Sequence, residues 1–323
     1  MPDELVSIDD IAAAAERISG RVVRTPLIPF PTADPDRPLW LKPENLQPTG
    51  AFKLRGAFNA ILQRLDEARA NGVATHSSGN HARAVAWVAR ELGVRAVIVM
   101  PDAAPQVKID GARRLGAEIV IVPPAERDIR AFELAAEHGY VLVPPYDDAD
   151  VVAGQGTVGL EIVADRPEVA TVLVPVSGGG LISGVATAVK TRSPRTRVIG
   201  VEPELAGDAA ESFRRGERIS WTPEQTYRTV ADGLRTTSLG EIPWRQIQHY
   251  VDDIITVTED QIRDAVRRLA VDARIVAEAS GAVPVAAYLH AADALQLRGD
   301  TVAVVSGGNI APELLAQLVA PTV

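Results

Sequence analysis

The chain has 323 residues, more than the roughly 100 to 200 residues of a typical domain, so two lobes within one polypeptide are expected. Its net charge of -9 is spread along the sequence without a basic run, which argues against nucleic acid as a partner. The absence of cysteine excludes disulfides, thiolate metal sites and a cysteine nucleophile, and it is compatible with the reducing cytoplasm, where we expect the protein.

The first predicted elements alternate between short apolar runs and helical stretches. Residues 40–42 predict a strand and residues 54–69 a helix, and either lobe could contain them. Beyond Gly72 the alternation continues, with strand-like runs at 94–100, 118–122 and 141–143 and helical stretches at 81–92 and 107–115. Strands separated by helices of this length form parallel sheets, so this region is expected to be the smaller lobe.

A second series of apolar runs begins after Asp150. Its strand-like runs lie at 172–176, 198–201, 254–257 and 302–305. Thr258 and Gln261 form a capping-box signature at the start of a helix between them. The uncharged stretch 170–189 is interrupted by Pro175 and three glycines, which predicts a strand, a turn and a buried helix rather than a membrane span. The whole pattern predicts an α/β protein of two lobes, each with a mainly parallel sheet flanked by helices.

Four turns that follow apolar runs carry residues suited to chemistry, and parallel sheets bind ligands at the carboxyl ends of their strands. In the first, residues 41–60, Lys53 follows a Pro-Thr-Gly-Ala turn and begins a helix. Exposed N–H groups and the positive end of the helix dipole lower the pKa of an amine there, which makes it a better nucleophile. A solvated first-turn lysine is the alternative interpretation, because lysines are mostly exposed.

The second turn, within residues 75–84, places two serines, Gly79 and Asn80 at a predicted helix start. Hydroxyls and backbone N–H groups in such a turn bind anions, and a carboxylate would suit them. Helix capping by serine or asparagine explains the same residues equally well. His76 and His81 lack a third ligand, so we predict no metal site for them.

The third turn, within residues 172–184, is a Ser-Gly-Gly-Gly sequence between a strand and a helix. Three glycines let several backbone N–H groups point at one phosphate, so we predict a phosphate-binding loop. Its glycine spacing differs from that of a dinucleotide fingerprint. The G-x-G-x-x-G spacing does occur elsewhere, without a convincing strand before it, and we interpret it as glycines at a helix entry; these are Gly154, Gly156 and Gly159.

The fourth turn, within residues 302–312, places Ser306 at the end of a buried strand, before two glycines. A hydroxyl there can hydrogen-bond a heteroaromatic nitrogen without giving that nitrogen a full charge. Capping of the strand end is the alternative role for Ser306.

Taken in order, these segments resemble the fold-type II pyridoxal-phosphate enzymes, and among them the serine and threonine dehydratases and the serine racemases. The matching motifs are P-T-G-A-F-K-L-R-G-A, S-S-G-N-H-A, A-G-Q-G-T, S-G-G-G-L, a D-G at 232–233, and S-G-G-N. The resemblance covers nearly the whole chain, and it implies pyridoxal 5'-phosphate as cofactor and a homodimer. It further implies a large cofactor-binding domain formed by residues 1–71 and 148–323 and a small substrate-binding domain formed by residues 72–147.

The resemblance also implies roles for individual residues. Lys53 would hold the cofactor as a Schiff base and remove the α-proton of the substrate. The glycine loop would bind the cofactor phosphate, an asparagine its ring hydroxyl and a serine its pyridine nitrogen, so the cofactor-binding set is Phe52, Lys53, Asn80, Gly178, Gly179, Gly180, Leu181 and Ser306. The substrate carboxylate would be bound by Ser77, Ser78, Asn80 and His81.

The implied reaction is β-elimination from L-serine or L-threonine to a 2-oxo acid and ammonia. A serine at the pyridine nitrogen does not create a fully charged electron sink, whereas departure of a β-hydroxyl removes the developing charge at once. Ser78 stands where racemases of the family place a group opposite the lysine, and it could donate the proton of a two-base racemase. The alternatives are an amino acid racemase, a 3-hydroxyaspartate dehydratase or, in another class, a non-catalytic protein that binds a phosphate ligand.

Two further features bear on ligands. Residues 201–209 resemble the cation site of serine racemases, which implies Mg²⁺, Mn²⁺ or Ca²⁺ bound by oxygen atoms of Glu202, Ala206 and Asp208. Helix capping by the aspartate is the alternative. Arg127 and Arg130 lie near the small-lobe arginine with which the family's racemases engage a substrate carboxylate, but neither aligns with it, so the resemblance assigns them no role.

Overall fold

The computed structural model of the chain describes residues 5–104 and 106–320, so the ends of the predicted large domain, 1–4 and 321–323, lie outside the described residues. The strands in this part are β1 (Ile28–Pro29), β2 (Leu39–Pro43), β3 (Val73–His76), β4 (Ala96–Pro101), β5 (Glu118–Val122), β6 (Val141–Leu142), β7 (Thr171–Pro175), β8 (Arg197–Pro203), β9 (Asp253–Val257) and β10 (Thr301–Val305). Each of the apolar runs taken above as a strand coincides with one of them to within about two residues.

These strands form two sheets. The larger has six strands in the order β1-β2-β10-β7-β8-β9, and the smaller has four in the order β5-β4-β3-β6. All pairings are parallel except that between β1 and β2. The mainly parallel α/β architecture predicted from the sequence is therefore confirmed.

Helices connect the strands and cover the sheets. They are α1 (Ile8–Ile18), α2 (Lys53–Gln63), α3 (Leu65–Asn71), α4 (Asn80–Leu92), α5 (Gln106–Arg114), α6 (Arg127–His138), α7 (Ala149–Asp165), α8 (Gly180–Arg192), α9 (Asp208–Arg215), α10 (Pro223–Thr226), α11 (Glu241–Tyr250), α12 (Glu259–Val271), α13 (Ala279–Ala291) and α14 (Pro312–Val319). The predicted capping box of Thr258 and Gln261 begins α12. In the described part of the chain, no helix is both long and apolar enough to cross a membrane.

The central strands of the six-stranded sheet are covered on both faces. Strands β7 and β10 are buried along their whole length. One apolar cluster contains residues of α12 and α13, and a second, on the other face, contains residues of α8 and α11. A strand covered on both sides has no polar face, which explains why these strands are continuous apolar runs in the sequence.

The four-stranded sheet and its helices α4, α5 and α6, here called the small lobe, form one continuous insertion in the chain. The chain enters at β3 and leaves after β6, and these two strands are neighbours, with Val73 opposite Val141. The six-stranded sheet with the remaining helices is called the large lobe.

Helices α7 and α8 approach each other so closely that their backbones touch. A Cβ atom on Gly184 of α8 would lie 2.3 Å from the carbonyl oxygen of Val152, and one on Gly156 of α7 would lie 2.9 Å from the carbonyl oxygen of Gly184. The glycines with the dinucleotide-like spacing thus lie in the interior of α7 and serve helix packing. The prediction that these glycines lie at a helix entry was wrong. Their position inside α7 is consistent with the interpretation that they do not form a dinucleotide-binding motif.

A buried ion network anchors α2 to the rest of the large lobe. Arg55 is fully buried, and its guanidinium donates to Glu44 at 2.8 Å and to Glu161 at 2.7 Å. Lys42 reaches the same Glu161 at 2.5 Å. Buried charges are tolerated only when they are paired and hydrogen-bonded, as they are here. The network fixes the helix that begins with Lys53.

Candidate active site

The four predicted turns converge at the carboxyl edges of the two sheets. The backbone N–H of Phe52 donates to the carbonyl of Ser306 at 3.0 Å, and Ala51 forms a β-bridge with Gly307. These contacts place the start of α2 directly beside the turn after β10. The Lys53 side chain then extends to the segment after β6, which also contacts the glycine loop.

Lys53 is the first residue of α2; the residue is half-buried, and its Nζ donates to the carbonyl of Pro145. The same nitrogen lies 5.1 Å from the centroid of the Phe52 ring. Within the described residues, the other three lysines pair with carboxylates, whereas the Nζ of Lys53 has no carboxylate partner and donates its hydrogen bond to this carbonyl. Burial lowers the pKa of Lys53 to about 7. A substantial fraction of this amine is therefore unprotonated at neutral pH and can act as a nucleophile.

The glycine loop is shaped for an anion. Gly179 has a φ of +91°, which favours glycine, and it precedes α8, whose N-terminus has no side-chain cap from the described residues. A Cβ on Gly178 would lie 2.4 Å from the ring of Tyr146, so glycine is required there as well. The N–H groups of the first turn of α8, which includes Leu181, thus remain available to a phosphate.

The serine loop follows β3 and leads into α4. Ser77 and Ser78 are half-buried, and the Oγ of Ser77 accepts a hydrogen bond from the N–H of Gly79 at 3.2 Å. His81 Nε2 lies 2.9 Å from the carbonyl oxygen of Val143. Since a carbonyl can only accept, Nε2 carries the proton, and burial lowers the pKa of His81 to about 3, with Lys53 contributing. His81 is therefore neutral, and the loop offers hydrogen bonds rather than charge.

Asn80 is held by two residues that sequence reasoning missed. Its Nδ2 donates to Glu278 Oε1 at 2.6 Å, and its Oδ1 accepts from Asn309 Nδ2 at 2.8 Å. Tyr146, packed against the glycine loop, was also missed. Glu278 and Tyr146 lie far along the chain from the motif residues that they contact, so no local pattern could have revealed them. Asn309, in contrast, ends the S-G-G-N motif, to which only Ser306 had contributed a predicted role.

The predicted cation ligands lie close together at the end of β8. Glu202 and Asp208 are almost fully buried, and Glu202 Oε1 and Asp208 Oδ2 have no hydrogen-bond partner among the described residues. Burial, reinforced by the charge of Asp208, raises the pKa of Glu202, and burial likewise raises that of Asp208. Ala206 is buried next to them. In the described residues, no group of three or more His, Cys, Asp or Glu side chains is placed to hold a metal ion, so any cation here needs carbonyl or water ligands as well.

The two arginines of α6 differ in their surroundings. Arg130 is engaged by Glu133 at 3.0 Å and Glu137 at 3.2 Å on the exposed face of the helix. Arg127 pairs with Asp128 at 2.7 Å and is close enough to Tyr146 to interact with it electrostatically. Of the two, Arg127 is therefore the one near the glycine loop.

A lysine with a lowered pKa, an uncapped glycine loop and a serine at a neighbouring strand end define the class of site that holds a phosphorylated carbonyl cofactor. The arrangement fits pyridoxal 5'-phosphate, because each part of that cofactor has a matching group here: the amine for the carbonyl, the loop for the phosphate and the hydroxyl for the ring nitrogen.

Comparison with known proteins identifies the family. The model of the pyridoxal-phosphate dependent enzymes matches residues 18–307, so the chain belongs to this family. The chain is 40% identical over 322 residues to an L-threonine ammonia-lyase of Thermotoga maritima, covering 98% of this chain and 78% of that protein. Among solved structures, the T.th. threonine deaminase has a TM-score of 0.88 at 43% identity, covering 94% of this chain and 99% of that one. Maize serine racemase has a TM-score of 0.91 at 37% identity, covering 97% of both chains.

Proposed function

We propose that the protein is an ammonia-lyase that removes the β-hydroxyl of L-serine or L-threonine and releases a 2-oxo acid and ammonia. The observation that carries this proposal is Lys53, whose pKa is lowered to about 7 by burial and which begins a helix tied to the turn after β10 by the hydrogen bond from the Phe52 N–H to the Ser306 carbonyl. The names of the threonine-specific relatives support it. The decisive test is a screen of hydroxy amino acids that records both the 2-oxo acid formed and the enantiomers that remain.

The bound cofactor supplies the electron withdrawal that makes the α-proton of an amino acid acidic. The Nζ of Lys53 would take that proton. The N–H groups of residues 178–181 would hold the phosphate, and the hydroxyl of Ser306 would hydrogen-bond the ring nitrogen without giving it a full charge. Under this arrangement the reaction is completed fastest when a leaving group departs from the β-carbon, which favours elimination over reactions that need a long-lived carbanion.

The substrate carboxylate is assigned to the serine loop, with Ser77, Ser78, Asn80 and, through its backbone N–H, His81 as its ligands. Neutral His81 donates its Nε2 proton to Val143, so it positions the loop rather than supplying a positive charge. Hydroxyl and backbone N–H groups at the start of α4 then bind the anion, helped by the helix dipole.

Substitution of Ser78 tests whether elimination and racemisation depend on different residues. If Ser78 donates a proton on the face opposite Lys53, Ser78→Ala should abolish serine racemisation while elimination from the L-enantiomer survives. We expect the ratio of the two rates to shift towards elimination, with elimination already the faster reaction in the unmodified protein. The matched control is Ser77→Ala on the same loop, which should lower both rates by a similar factor. An unchanged ratio in Ser78→Ala would assign Ser78 to carboxylate binding alone.

A 3-hydroxyaspartate dehydratase is a second candidate, favoured by Arg127. This guanidinium lies near Tyr146 and already pairs with Asp128 at 2.7 Å, so it would have to exchange that partner to form a bidentate pair with a second substrate carboxylate. The same substrate screen, extended to 3-hydroxyaspartate, distinguishes the two. A protein that stays colourless after addition of pyridoxal phosphate would instead indicate a non-catalytic phosphate-binding module.

The proposal includes a divalent cation, Mg²⁺, Mn²⁺ or Ca²⁺, bound by Glu202, Asp208 and the carbonyl of Ala206. Two buried carboxylates with unpartnered oxygens are costly unless a proton or a cation neutralises them. We also propose that the protein is a cytoplasmic homodimer. In each subunit, residues 72–147 would form the small substrate-binding domain and the rest of the chain the large cofactor-binding domain. Light scattering of the purified protein tests the homodimer.

Chelation should lower the melting temperature, and more at about pH 8 than at about pH 6, because protons compete with the cation for the carboxylates. The sign follows from the raised pKa values: the metal-free folded protein keeps protons that the unfolded chain releases, so it loses stability as pH rises through this window. Added Mg²⁺ or Mn²⁺ should restore the melting temperature by mass action. Asp208→Asn should be indifferent to the chelator, and indifference of the unmodified protein at both pH values would remove the cation site.

A further inference from the structure

Glu278 is a buried acidic residue beside the candidate active site, and the proposed reaction does not use it. It immediately precedes α13, it is 5% exposed, and its backbone N–H donates to the carbonyl of Gly307 at 3.1 Å. A buried carboxyl group is costly, so its presence beside the turn that contains Ser306 requires a partner. That partner is Asn80, 198 positions earlier in the chain, whose Nδ2 donates to Glu278 Oε1 at 2.6 Å.

The amide of Asn80 is fixed at both ends. Glu278 accepts one of its two N–H groups, and Asn309 Nδ2 donates to its oxygen at 2.8 Å. Asn309 is itself held, because the same Nδ2 donates to the carbonyl of Thr49 at 2.9 Å. An amide nitrogen has two N–H groups, so one remains for a ligand. A flipped amide would place its nitrogen against the Asn309 donor, where the hydrogen bond is lost, and its oxygen against Glu278, where only the O–H of a protonated carboxyl group could still donate to it.

We propose that Glu278 is a positioning residue, which orients the Asn80 amide so that its free N–H points towards the ring oxygen of the bound cofactor. This inference rests on the proposed contact between Asn80 and the cofactor. Glu278 and Asn309 belong to the large lobe and Asn80 to the small lobe, so the same hydrogen bonds hold the two lobes together at the site.

The protonation of Glu278 is compatible with this role. Burial raises its pKa to about 7, with the charge of Asp232 adding to the rise and that of Lys108 opposing it. Lys108 and Asp232 pair at 3.0 Å between α5 and the loop before α11. A neutral carboxyl group still accepts from Asn80 through its carbonyl oxygen, and it adds no negative charge near an electron-rich ring oxygen.

The test compares the loss of the acceptor with its replacement. Glu278→Ala removes the acceptor, and Glu278→Gln retains an oxygen that can accept. Glu278→Met also removes the acceptor but keeps a similar side-chain volume, and it replaces the alanine variant if that variant does not fold. The readouts on cofactor-loaded protein are the visible absorption spectrum, the dissociation constant for pyridoxal phosphate, and kcat and KM with L-threonine. We expect the alanine and methionine variants to change the spectrum and to lower kcat by about tenfold or more, and the glutamine variant to stay within about threefold of the unmodified protein.

A double-mutant cycle with Asn80→Ala shows whether Glu278 acts through Asn80. If it does, Glu278→Ala should add nothing to the spectral and kinetic change of Asn80→Ala. The matched control is Glu259→Ala. Glu259 also lies at the start of a helix, and its carboxylate accepts a hydrogen bond from the backbone N–H of Val230 at 2.7 Å. This variant should lower the melting temperature without changing the spectrum.

Three results would overturn the inference, and they are distinguishable. An unchanged spectrum in Glu278→Ala or Glu278→Met, with a changed one in Asn80→Ala, would remove Glu278 while leaving the proposed Asn80 contact. An unchanged spectrum in Asn80→Ala would remove the contact itself, and the inference with it. Additive effects in the double variant would likewise show that Glu278 does not act through Asn80.

Discussion

Lys53→Ala is expected to lower turnover by several orders of magnitude, because the nucleophile that holds the cofactor and the base that takes the α-proton are lost together. The variant should also lose the visible absorbance of covalently held cofactor. It should still bind pyridoxal phosphate weakly, since the glycine loop is untouched.

The measurement is steady-state 2-oxo acid formation together with the absorption spectrum after dialysis against free cofactor. Lys190→Ala is the matched control. Lys190 Nζ lies 2.9 Å from Asp252 Oδ1, and this ion pair is not part of the candidate active site. It should retain near-normal turnover. Near-normal turnover in Lys53→Ala would contradict the assignment of the site.

Arg55→Leu should destabilise the fold by about 3 to 5 kcal/mol, which is the usual cost of leaving a buried charge without its partner. Glu44 would be the residue left uncompensated, since it is fully buried and receives two hydrogen bonds from this guanidinium. Urea unfolding should show a lower midpoint with an unchanged slope. Arg64→Ala, which breaks the exposed pair with Glu67, should cost less than about 1 kcal/mol.

The loss in Arg55→Leu should depend on pH. In the unmodified protein, burial tends to raise the pKa of Glu44, but Arg55 outweighs it and holds the pKa below its usual value. That stability is present above the unfolded pKa of Glu44 and is lost in acid. Without Arg55 the pKa of Glu44 should rise, so the carboxyl can be neutralised by a proton and the deficit should shrink as the pH falls. A deficit that is equal at acidic and alkaline pH would show that lost packing, not charge, causes it.

The sequence predicted most of the sheet, because buried parallel strands are continuous apolar runs. The runs at 254–257 and 302–305 correspond to strands β9 and β10 with one residue added at the start of each. The two-residue strand β1 is too short to produce a pattern. The predicted helix 54–69 was wrong in its continuity: it divides at Arg64, where φ is -121° and ψ is 36°, although no glycine or proline marks the break.

The candidate site was predictable only in its local parts. The turn motifs were enough to predict Lys53, the glycine loop and Ser306 as site residues, because a turn and the helix that follows it are local features of the sequence. The expected cause of the lowered Lys53 pKa was a helix dipole, whereas the cause in the structure is burial. Burial arises from residues distant in the chain, and so do the Glu278 contact and the full burial of Arg55, a residue type that is mostly exposed.

The small lobe is a single insertion whose entry and exit strands are neighbours, and this has an evolutionary consequence. A segment with adjacent ends can be exchanged between relatives by two recombination events without changing the strand order of the six-stranded sheet. The lysine, the phosphate loop and Ser306 all lie outside that segment, whereas the serine loop lies inside it. Substrate preference could therefore diversify by exchange of the insertion while the lysine, the phosphate loop and Ser306 are inherited unchanged, as long as the new insertion keeps an asparagine at the position of Asn80. Chimaeras with a relative's insertion test this.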